Sequence, residues 1–137
     1  MAADYPQDLS YMDTHEYIRL EGDVATIGIS AFAIQQLGDI VFLELADVGK
    51  SLEKGETFGS IESVKVAEDL YTPVSGIVLA QNTAIVELIE QSQVPDPMLN
   101  DPYGAGWLIK IQLEGSPDLA DAMSAEVYRS KVEGLGG

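Results

Sequence analysis

The sequence predicts a mainly β domain that ends in a helical segment. Between Glu16 and Leu113, short runs of β-forming residues are separated by glycine turns. Several runs alternate apolar and polar residues, which is the periodicity of a half-buried strand. Helix start and stop signals are concentrated over about residues 116–134. Because 46% of the 137 residues are hydrophobic, the chain can build one core, and residues 1–137 are predicted to form a single domain.

The first two predicted strands form a hairpin. Residues 17–20 and 24–29 flank the turn Glu21–Asp23, which contains a glycine. In the second strand, the odd-numbered residues from Ala25 to Ile29 fall on one face, because the side-chain period of a strand is two. The polar residues 1–16 are expected to be irregular.

A short helix and a further strand follow the hairpin. Ser30 is a suitable N-cap and Gly38 a suitable stop for a helix over residues 31–37. In the strand predicted at 40–45, Glu44 is the only polar residue. We therefore expect that strand to be covered on both faces.

Two strands are predicted to meet at Lys65. They span residues 57–64 and 66–71, and another strand resumes at 77–79. The preceding stretch Lys50–Lys54 has exposed charge and glycines on both sides, which is typical of a turn.

The remaining chain is predicted to be partly helical. Residues 83–93 have apolar residues at helical spacing and are interpreted as a helix or an irregular loop. Residues 107–114 alternate as a final half-buried strand. Ser116 precedes proline and aspartate, as at a helix start, and Ser124 is expected to cap a last helix that stops at Gly134.

Charge and composition exclude several classes of function. The 23 acidic and 7 basic side chains give a formal net charge of −16, which disfavours binding to nucleic acid or to an anionic membrane. Such a charge favours basic protein partners, although it also serves solubility alone. With no cysteine in the chain, disulfides and thiol chemistry of its own are excluded.

The N-terminal residues have neither the cationic and apolar segments of a signal peptide nor the arginines of a transit peptide. No apolar run approaches the roughly 20 residues that span a bilayer. The predicted location is cytoplasmic, with an organelle matrix as the alternative if a transit peptide was removed.

Lys65 is the strongest candidate for chemistry. It lies between two valines in an acidic stretch, at the turn of a predicted hairpin. Such a lysine is well placed to accept a prosthetic group from another enzyme. The alternative is a solvated lysine that pairs with Glu62 or Glu68. A Schiff-base or general-base role is disfavoured, because neighbouring acids keep the amine protonated.

His15 is the only histidine, and it lies between Asp13 and Glu16 in sequence. One imidazole and nearby carboxylates within four residues lack the further ligands of a metal centre. The sequence therefore predicts no metal site.

The motifs around Lys65 resemble those of the H protein of the glycine cleavage system. The run Gly59–Lys65 is followed by Asp69 and by Pro73–Gly76, and a Pro-Tyr-Gly-Ala-Gly-Trp element spans 102–107. The resemblance extends over nearly the whole chain, and the Glu-Ser-Val-Lys and Pro-Tyr-Gly-x-Gly-Trp elements are highly specific.

This resemblance implies a fold and a function. The fold is a barrel-sandwich hybrid of two antiparallel sheets, of the lipoyl/biotinyl type, with short C-terminal helices. Lys65 would carry lipoic acid as an amide, attached by a lipoate-attaching enzyme within the motif Glu62, Ser63 and Val64. The chain would be a carrier with no turnover of its own.

The resemblance also implies the partners of this carrier. It would take an aminomethyl group from a pyridoxal-phosphate glycine decarboxylase to a tetrahydrofolate-dependent aminomethyltransferase. A flavin (FAD) dihydrolipoamide dehydrogenase would then reoxidise it. The positions that match the docking site of the loaded arm are Thr14, Glu16, Gln36 and Asp69.

Three alternatives stay open from the sequence. A biotin carrier usually has methionines beside its lysine, where this chain has Val64 and Val66. An enzyme that uses Lys65 as a base requires an enclosing pocket. A module of the same family that no longer serves glycine cleavage, or that donates lipoyl groups to other proteins, cannot be distinguished by sequence.

Overall fold

Residues 5–134, which the computed structural model describes, form nine strands in two antiparallel sheets together with four helices. The elements in chain order are β1 (Ser10–Tyr11), β2 (Glu16–Glu21), β3 (Val24–Ile29), α1 (Ala31–Leu37), β4 (Ile40–Leu45), β5 (Ser51–Leu52), β6 (Thr57–Ser63), β7 (Ala67–Tyr71), β8 (Gly76–Gln81), α2 (Thr83–Glu90), α3 (Asp96–Asn100), β9 (Ile109–Leu113) and α4 (Ala125–Gly134).

The larger sheet has the strand order β1-β2-β3-β9-β8-β5, and the smaller sheet has the order β4-β6-β7. All described strand pairs are antiparallel. The predicted mainly β, barrel-sandwich architecture is therefore confirmed. The β2–β3 hairpin has the predicted bounds within one residue, and Gly22 adopts a positive φ of 63° in its turn.

The two sheets share one apolar core. Ile109 and Ile111 of β9, and Phe58 and Ile61 of β6, are at most 1% exposed. Burying each such side chain stabilises the fold by about 1.5–3 kcal/mol before entropic costs. Strand β6 of the β6–β7 hairpin is therefore anchored in the core through its buried side chains.

A second apolar cluster lies at the N-terminal side, where residues 5–15 are irregular as expected except for the two-residue strand β1. Tyr5, Leu9 and Tyr11 are buried there, and β1 pairs with β2. Tyr11 stacks on Tyr128 of α4 with ring centroids 4.8 Å apart. The first four residues lie outside the described part of the chain.

The expectation that the strand at 40–45 is covered on both faces was wrong. Val41 is 54% exposed and Phe42 is 40% exposed, whereas Leu43 is buried. A bulge between Ile40 and Phe42 turns two consecutive apolar side chains outward. β4 is also an edge strand of the smaller sheet.

The helical segment expected over about 116–134 is shorter than predicted. Only Ala125–Gly134 is helical, and residues 116–124 are irregular apart from a bridge between Met123 and Tyr11. The predicted Ser124 cap is confirmed, since its Oγ accepts a hydrogen bond from Val127 N at 3.3 Å. Lys54, whose Nζ donates to Asp118 O and Asp121, anchors the irregular stretch in place of a helix. The end of the chain at 135–137 lies outside the described residues.

Two other segments differ from or refine the prediction. Part of the expected turn Lys50–Lys54 is the short strand β5, which pairs with β8. The ambiguous segment 83–93 contains the helix α2, which buries Ile85 and Ile89. Within residues 5–134, no helix is both long and apolar enough to cross a bilayer.

Candidate functional site

Lys65 lies at the tip of the β6–β7 hairpin, as the sequence predicted. The last pair of the ladder is Glu62 with Ala67, and the chain reverses direction over Ser63–Val66. Glu62 and Lys65 are exposed, whereas Ser63 is 8% exposed. Lys65 therefore points to solvent, whereas Ser63 of the same turn is buried.

Every backbone N–H of this turn has a hydrogen-bond acceptor. Ser63 N donates to Val66 O at 2.8 Å, and Val64 N donates to Asp39 O at 3.0 Å. Ser63 Oγ accepts from Lys65 N at 3.1 Å and from Val66 N at 3.2 Å. A side-chain acceptor of this kind holds a turn in place of a missing ladder bond. Ser63 therefore organises the turn from which Lys65 projects.

The side chain of Lys65 extends over the end of α1. A Cβ atom on Gly38 would lie 3.6 Å from Lys65 Cε and 3.7 Å from Nζ. Gly38 has a positive φ of 78°, and its N–H donates to Ile34 O as a helix C-cap. The glycine thus ends the helix and leaves room for the lysine side chain.

The two structural alternatives for Lys65 find no support in this geometry. Within residues 5–134, the ion pairs are Arg19–Asp8, Lys54–Asp121 and Lys131–Asp13, so Lys65 pairs with neither Glu62 nor Glu68. The enclosing pocket that a Schiff-base enzyme requires is also missing, because Lys65 is exposed.

The position of α1 is fixed at its start by a chain of hydrogen bonds. Ser30 Oγ caps the helix by accepting from Ala33 N, and it contacts Tyr128 Oη at 2.6 Å. Tyr128 Oη in turn lies 2.7 Å from His15 Nδ1. Burial lowers the pKa of His15, although Glu68 acts in the opposite direction. The lone histidine therefore has a structural partner.

Glu16 is the most buried acid of the site. It is 1% exposed, its Oε1 accepts a hydrogen bond from the Thr14 hydroxyl, and its Oε2 accepts one from Tyr71 N at 3.2 Å. Glu16 lies on β2 of the larger sheet and Tyr71 on β7 of the smaller one. The carboxylate consequently joins the two sheets. Burial raises the pKa of Glu16, whereas its hydrogen bonds lower the pKa and Glu68 raises it.

This raised pKa predicts a pH dependence of stability. The pKa of Glu16 in the folded protein lies above its ordinary value of 4.5, so the unfolded chain releases the proton at lower pH. Protonated Glu16 therefore contributes favourably to the free energy of unfolding below pH 4.5, and this contribution is lost as pH rises through the pKa of the folded protein. Relative to Glu16→Gln, which does not titrate, the wild type should therefore become less stable as pH rises from about 4.

Urea unfolding of both proteins across a pH series measures this difference. A Gln side chain can accept from Tyr71 N and donate to Thr14, so this variant keeps the link between the sheets. Glu16→Ala is the contrasting variant, and we expect it to lose about 1–3 kcal/mol because Tyr71 N loses its acceptor. If the stability of the wild type relative to Glu16→Gln stayed constant or increased with rising pH, the raised pKa would be contradicted.

The four positions expected to dock the arm are brought together only in part. Thr14 and Glu16 line one cavity of about 350 Å³, together with Tyr71. Asp69 is exposed on the same face of β7 as Tyr71, but it lines a separate polar cleft of about 440 Å³. Gln36 is exposed on α1 and lines neither cavity.

No group of three or more acidic or histidine side chains in residues 5–134 is arranged to hold a metal ion. Asp13, two residues before His15 in sequence, forms an ion pair with Lys131. The three residues considered for a metal site therefore have separate partners.

Three supporting residues were not recognised from sequence. Asp39 O anchors the turn, Tyr71 N binds Glu16, and Tyr128 Oη secures α1. All three contacts are long-range or use backbone atoms, so local patterns carry no signal for them. Tyr128 is buried on α4 together with Val132, four residues further along the helix.

This chain is similar in sequence and in fold to H proteins of the glycine cleavage system. The family described as "Glycine cleavage H-protein" matches residues 9–134. The glycine cleavage system H protein of Crocosphaera subtropica is 57% identical over 135 residues, which cover 98% of this chain and 97% of that protein. The H protein of Acaryochloris marina is 57% identical over 134 residues, covering 98% and 100%.

A solved structure agrees with these sequence relatives. The crystal structure of a glycine cleavage system H protein from Mycobacterium marinum aligns with a TM-score of 0.81 and 35% identity, covering 94% of this chain and 99% of that one. The resemblance seen in the lysine motif is thereby confirmed over the whole fold. The chain belongs to the glycine cleavage H-protein family.

Proposed function

We propose that this chain is the lipoylated carrier of a glycine cleavage system, with lipoic acid bound as an amide to Lys65 Nζ. The observation that carries the proposal is the position of that amine. It projects from the tip of a hairpin whose turn, Ser63–Val66, has all four backbone N–H groups hydrogen-bonded, and it has no ion pair within residues 5–134. An attaching enzyme can therefore reach it without unfolding the chain.

The surroundings of Lys65 fit such an arm. Val64 is 68% exposed and Val66 is 44% exposed, so the two flanking side chains leave the amine open to solvent. Amide formation joins Nζ to the carboxyl carbon of an activated lipoyl donor, whose activating group leaves, and the amine loses its positive charge. When bound, the lipoyl group would supply the sulfur chemistry that a chain without cysteine lacks.

The proposed task is to carry an aminomethyl group between two enzymes. The donor is a pyridoxal-phosphate glycine decarboxylase and the acceptor is a tetrahydrofolate-dependent aminomethyltransferase, with an FAD dihydrolipoamide dehydrogenase restoring the arm. Each visited enzyme would meet the arm at high effective concentration while the carrier is bound to its surface. The chain itself is proposed to act as one carrier domain over residues 1–137, without turnover.

The net charge of −16 supports steering toward basic surfaces on these partners. The same charge argues against nucleic acid and anionic membranes as partners. The cytoplasmic location inferred from the sequence stays part of the proposal.

The loaded arm carries an amine cation, which we propose is held near Glu16. A carboxylate makes charge-assisted hydrogen bonds with such a cation, and these are among the stronger ones in proteins. Thr14 already contacts Glu16, and Asp69 lies on the same face of β7 as Tyr71. Gln36, on the exposed side of α1, would contact the arm only as it passes from Lys65.

Intact-mass measurement and an exchange assay test the proposed function together. Protein from a lipoate-competent host should show the mass of one lipoyl group at Lys65. The lipoylated protein should then support glycine-dependent exchange of labelled carbon dioxide with the decarboxylase, and the unmodified protein should not. Lipoylated protein that supports no exchange would instead favour a family member outside glycine cleavage.

Glu16→Gln tests the docking of the loaded arm. The variant keeps the neutral hydrogen bonds but removes the negative charge, so methylamine-loaded protein should release ammonia faster than the wild type, by roughly tenfold if about 1.4 kcal/mol is lost. Release is measured on the isolated loaded protein, without partner enzymes. Lipoylation should be unaffected, and an unchanged release rate would contradict a role of Glu16 in docking.

A further inference from the structure

An apolar cleft opens beside the Lys65 turn, between the α1–β4 junction and the segment after α2. Its volume is about 380 Å³, which leaves room for a side chain of a second protein. Asp39 is the only charged residue among the ten that line it, although the chain carries a net charge of −16. The apolar part of the lining includes Val41, Ile89, Val94, Pro95 and Leu99.

The apolar side chains of this cleft are open to solvent on a backbone that is itself held in place. Val94 is 59% exposed and Leu99 is 43% exposed. Ser92 follows α2 with a φ of 59°, and its N–H donates to Ile89 O at 3.0 Å. Gln93 N donates to the carbonyl oxygen of residue 88 at 2.8 Å, which completes a common closure of a helix C-terminus. A partner that covers these side chains therefore need not order a loop first.

Acidic side chains flank the apolar lining. Asp39 lines the cleft, and Glu90 and Asp96 each stand next to a lining residue in the sequence. All three are exposed, and none of them forms an ion pair within residues 5–134. The segment 66–109, which supplies one wall of the cleft, contains no lysine or arginine. The charge around the cleft therefore complements a basic surface on a partner.

The position of the cleft relative to Lys65 indicates which partner covers it. Gly38 lines the cleft, and a Cβ atom on Gly38 would lie 3.7 Å from Lys65 Nζ. Asp39, also in the lining, accepts the hydrogen bond from Val64 N that anchors the turn. An enzyme that forms a bond to Nζ must surround this nitrogen, so its surface reaches the mouth of the cleft. The other proposed partners act at the sulfur end of the arm and can stay farther from Nζ.

We propose that this cleft is the docking pocket for the lipoate-attaching enzyme, an inference that rests on the proposed function. The occupant is an apolar side chain of that enzyme with basic side chains around it. The apolar side chain is buried among Val41, Val94 and Leu99, and the basic ones face Asp39 and Glu90. These contacts bind the carrier equally before and during the formation of the amide. They therefore lower the KM for the carrier and leave kcat unchanged.

Steady-state lipoylation of the unmodified protein by the lipoate-attaching enzyme of the same organism gives the first test. Val94→Ser removes apolar surface without a change of charge and should raise the KM for the carrier roughly fivefold at unchanged kcat. Val127→Ser is the matched control, because Val127 is 55% exposed on α4, and it should match the wild type. Urea unfolding verifies that both variants are folded. Equal KM values in all three proteins, or equal increases in both variants, would overturn the docking pocket.

Reversal of one acidic charge gives the second test. Glu90→Lys and Glu133→Lys change the net charge by the same amount, and both residues are exposed near the end of a helix. In low salt, Glu90→Lys should have a kcat/KM for lipoylation roughly threefold below that of Glu133→Lys. The difference should shrink in high salt, where charges are screened. Equal values for the two variants in low salt would overturn the basic character of the occupant.

A third measurement separates the attaching enzyme from the other partners. Fully lipoylated Val94→Ser should match the lipoylated wild type in glycine-dependent exchange of carbon dioxide with the decarboxylase. An increased KM in this exchange, together with an unchanged KM in lipoylation, would assign the cleft to the decarboxylase and overturn the proposal. All of these outcomes leave lipoylation itself intact. A wild-type chain that gains no lipoyl mass would instead contradict the proposed function.

Discussion

Lys65→Arg will abolish lipoyl attachment and leave the fold unchanged. A guanidinium stays protonated throughout the physiological range, so it offers no amine nucleophile. The side chain is exposed and makes no ion pair within residues 5–134, so the free energy of unfolding should change by less than about 0.5 kcal/mol. Intact mass after expression in a lipoate-competent host measures the first effect, and urea unfolding measures the second.

Lys50→Arg is the matched control for this experiment. Lys50 is also exposed and follows a glycine turn, but it lies away from the Glu-Ser-Val-Lys motif. It should gain the full mass of one lipoyl group. A lipoyl group retained in Lys65→Arg would place the attachment on another lysine and would remove the basis of the proposed function.

Gly76→Ala will cause the largest loss of stability among the single substitutions considered. A Cβ atom at this position would lie 2.6 Å from Ile111 Cγ2 and still closer to the backbone carbonyl oxygen of Gln112. That oxygen belongs to β9, which is paired with β8, so it cannot move without breaking the ladder. We expect a loss of about 3 kcal/mol in the free energy of unfolding, measured by urea denaturation.

Gly134→Ala adds the same methyl group at a position where, among residues 5–134, no atom beyond its own helix backbone and chain neighbours lies within 4 Å of the new Cβ. This variant should be neutral, or more stable by up to about 1 kcal/mol, because alanine favours helices more than glycine does. A loss of less than about 1 kcal/mol in Gly76→Ala would mean that the β8–β9 pair is looser than its packing indicates.

The Lys65 turn was predictable because its signals are local. Strand-forming residues stand on both sides of Lys65, and the hairpin they predict is the one observed. The Ser30 cap and the Gly38 stop likewise defined α1, since capping depends on residues within one turn of a helix. The bounds of these elements therefore follow from residues close to them in sequence, whereas the contacts of Asp39 O and Tyr128 Oη that hold them do not.

Errors arose where distant residues decide the structure. The apolar residues of β4 predict a buried strand. However, β4 lies at the edge of the smaller sheet and has a bulge, and Val41 and Phe42 are exposed. Ser116 has the chemistry of a helix start, but Lys54 holds the following segment in an irregular conformation. The link from Glu16 to Tyr71 N joins two sheets and has no local signature.

The hydrogen bond between Tyr128 and Ser30 bears on the order of events during synthesis. Residues 63–66 emerge from the ribosome well before residue 128, yet the helix beneath the Lys65 amine is braced at its start by the hydroxyl of residue 128. An attaching enzyme that recognises the completed shape of this region would consequently act on finished molecules rather than on nascent ones.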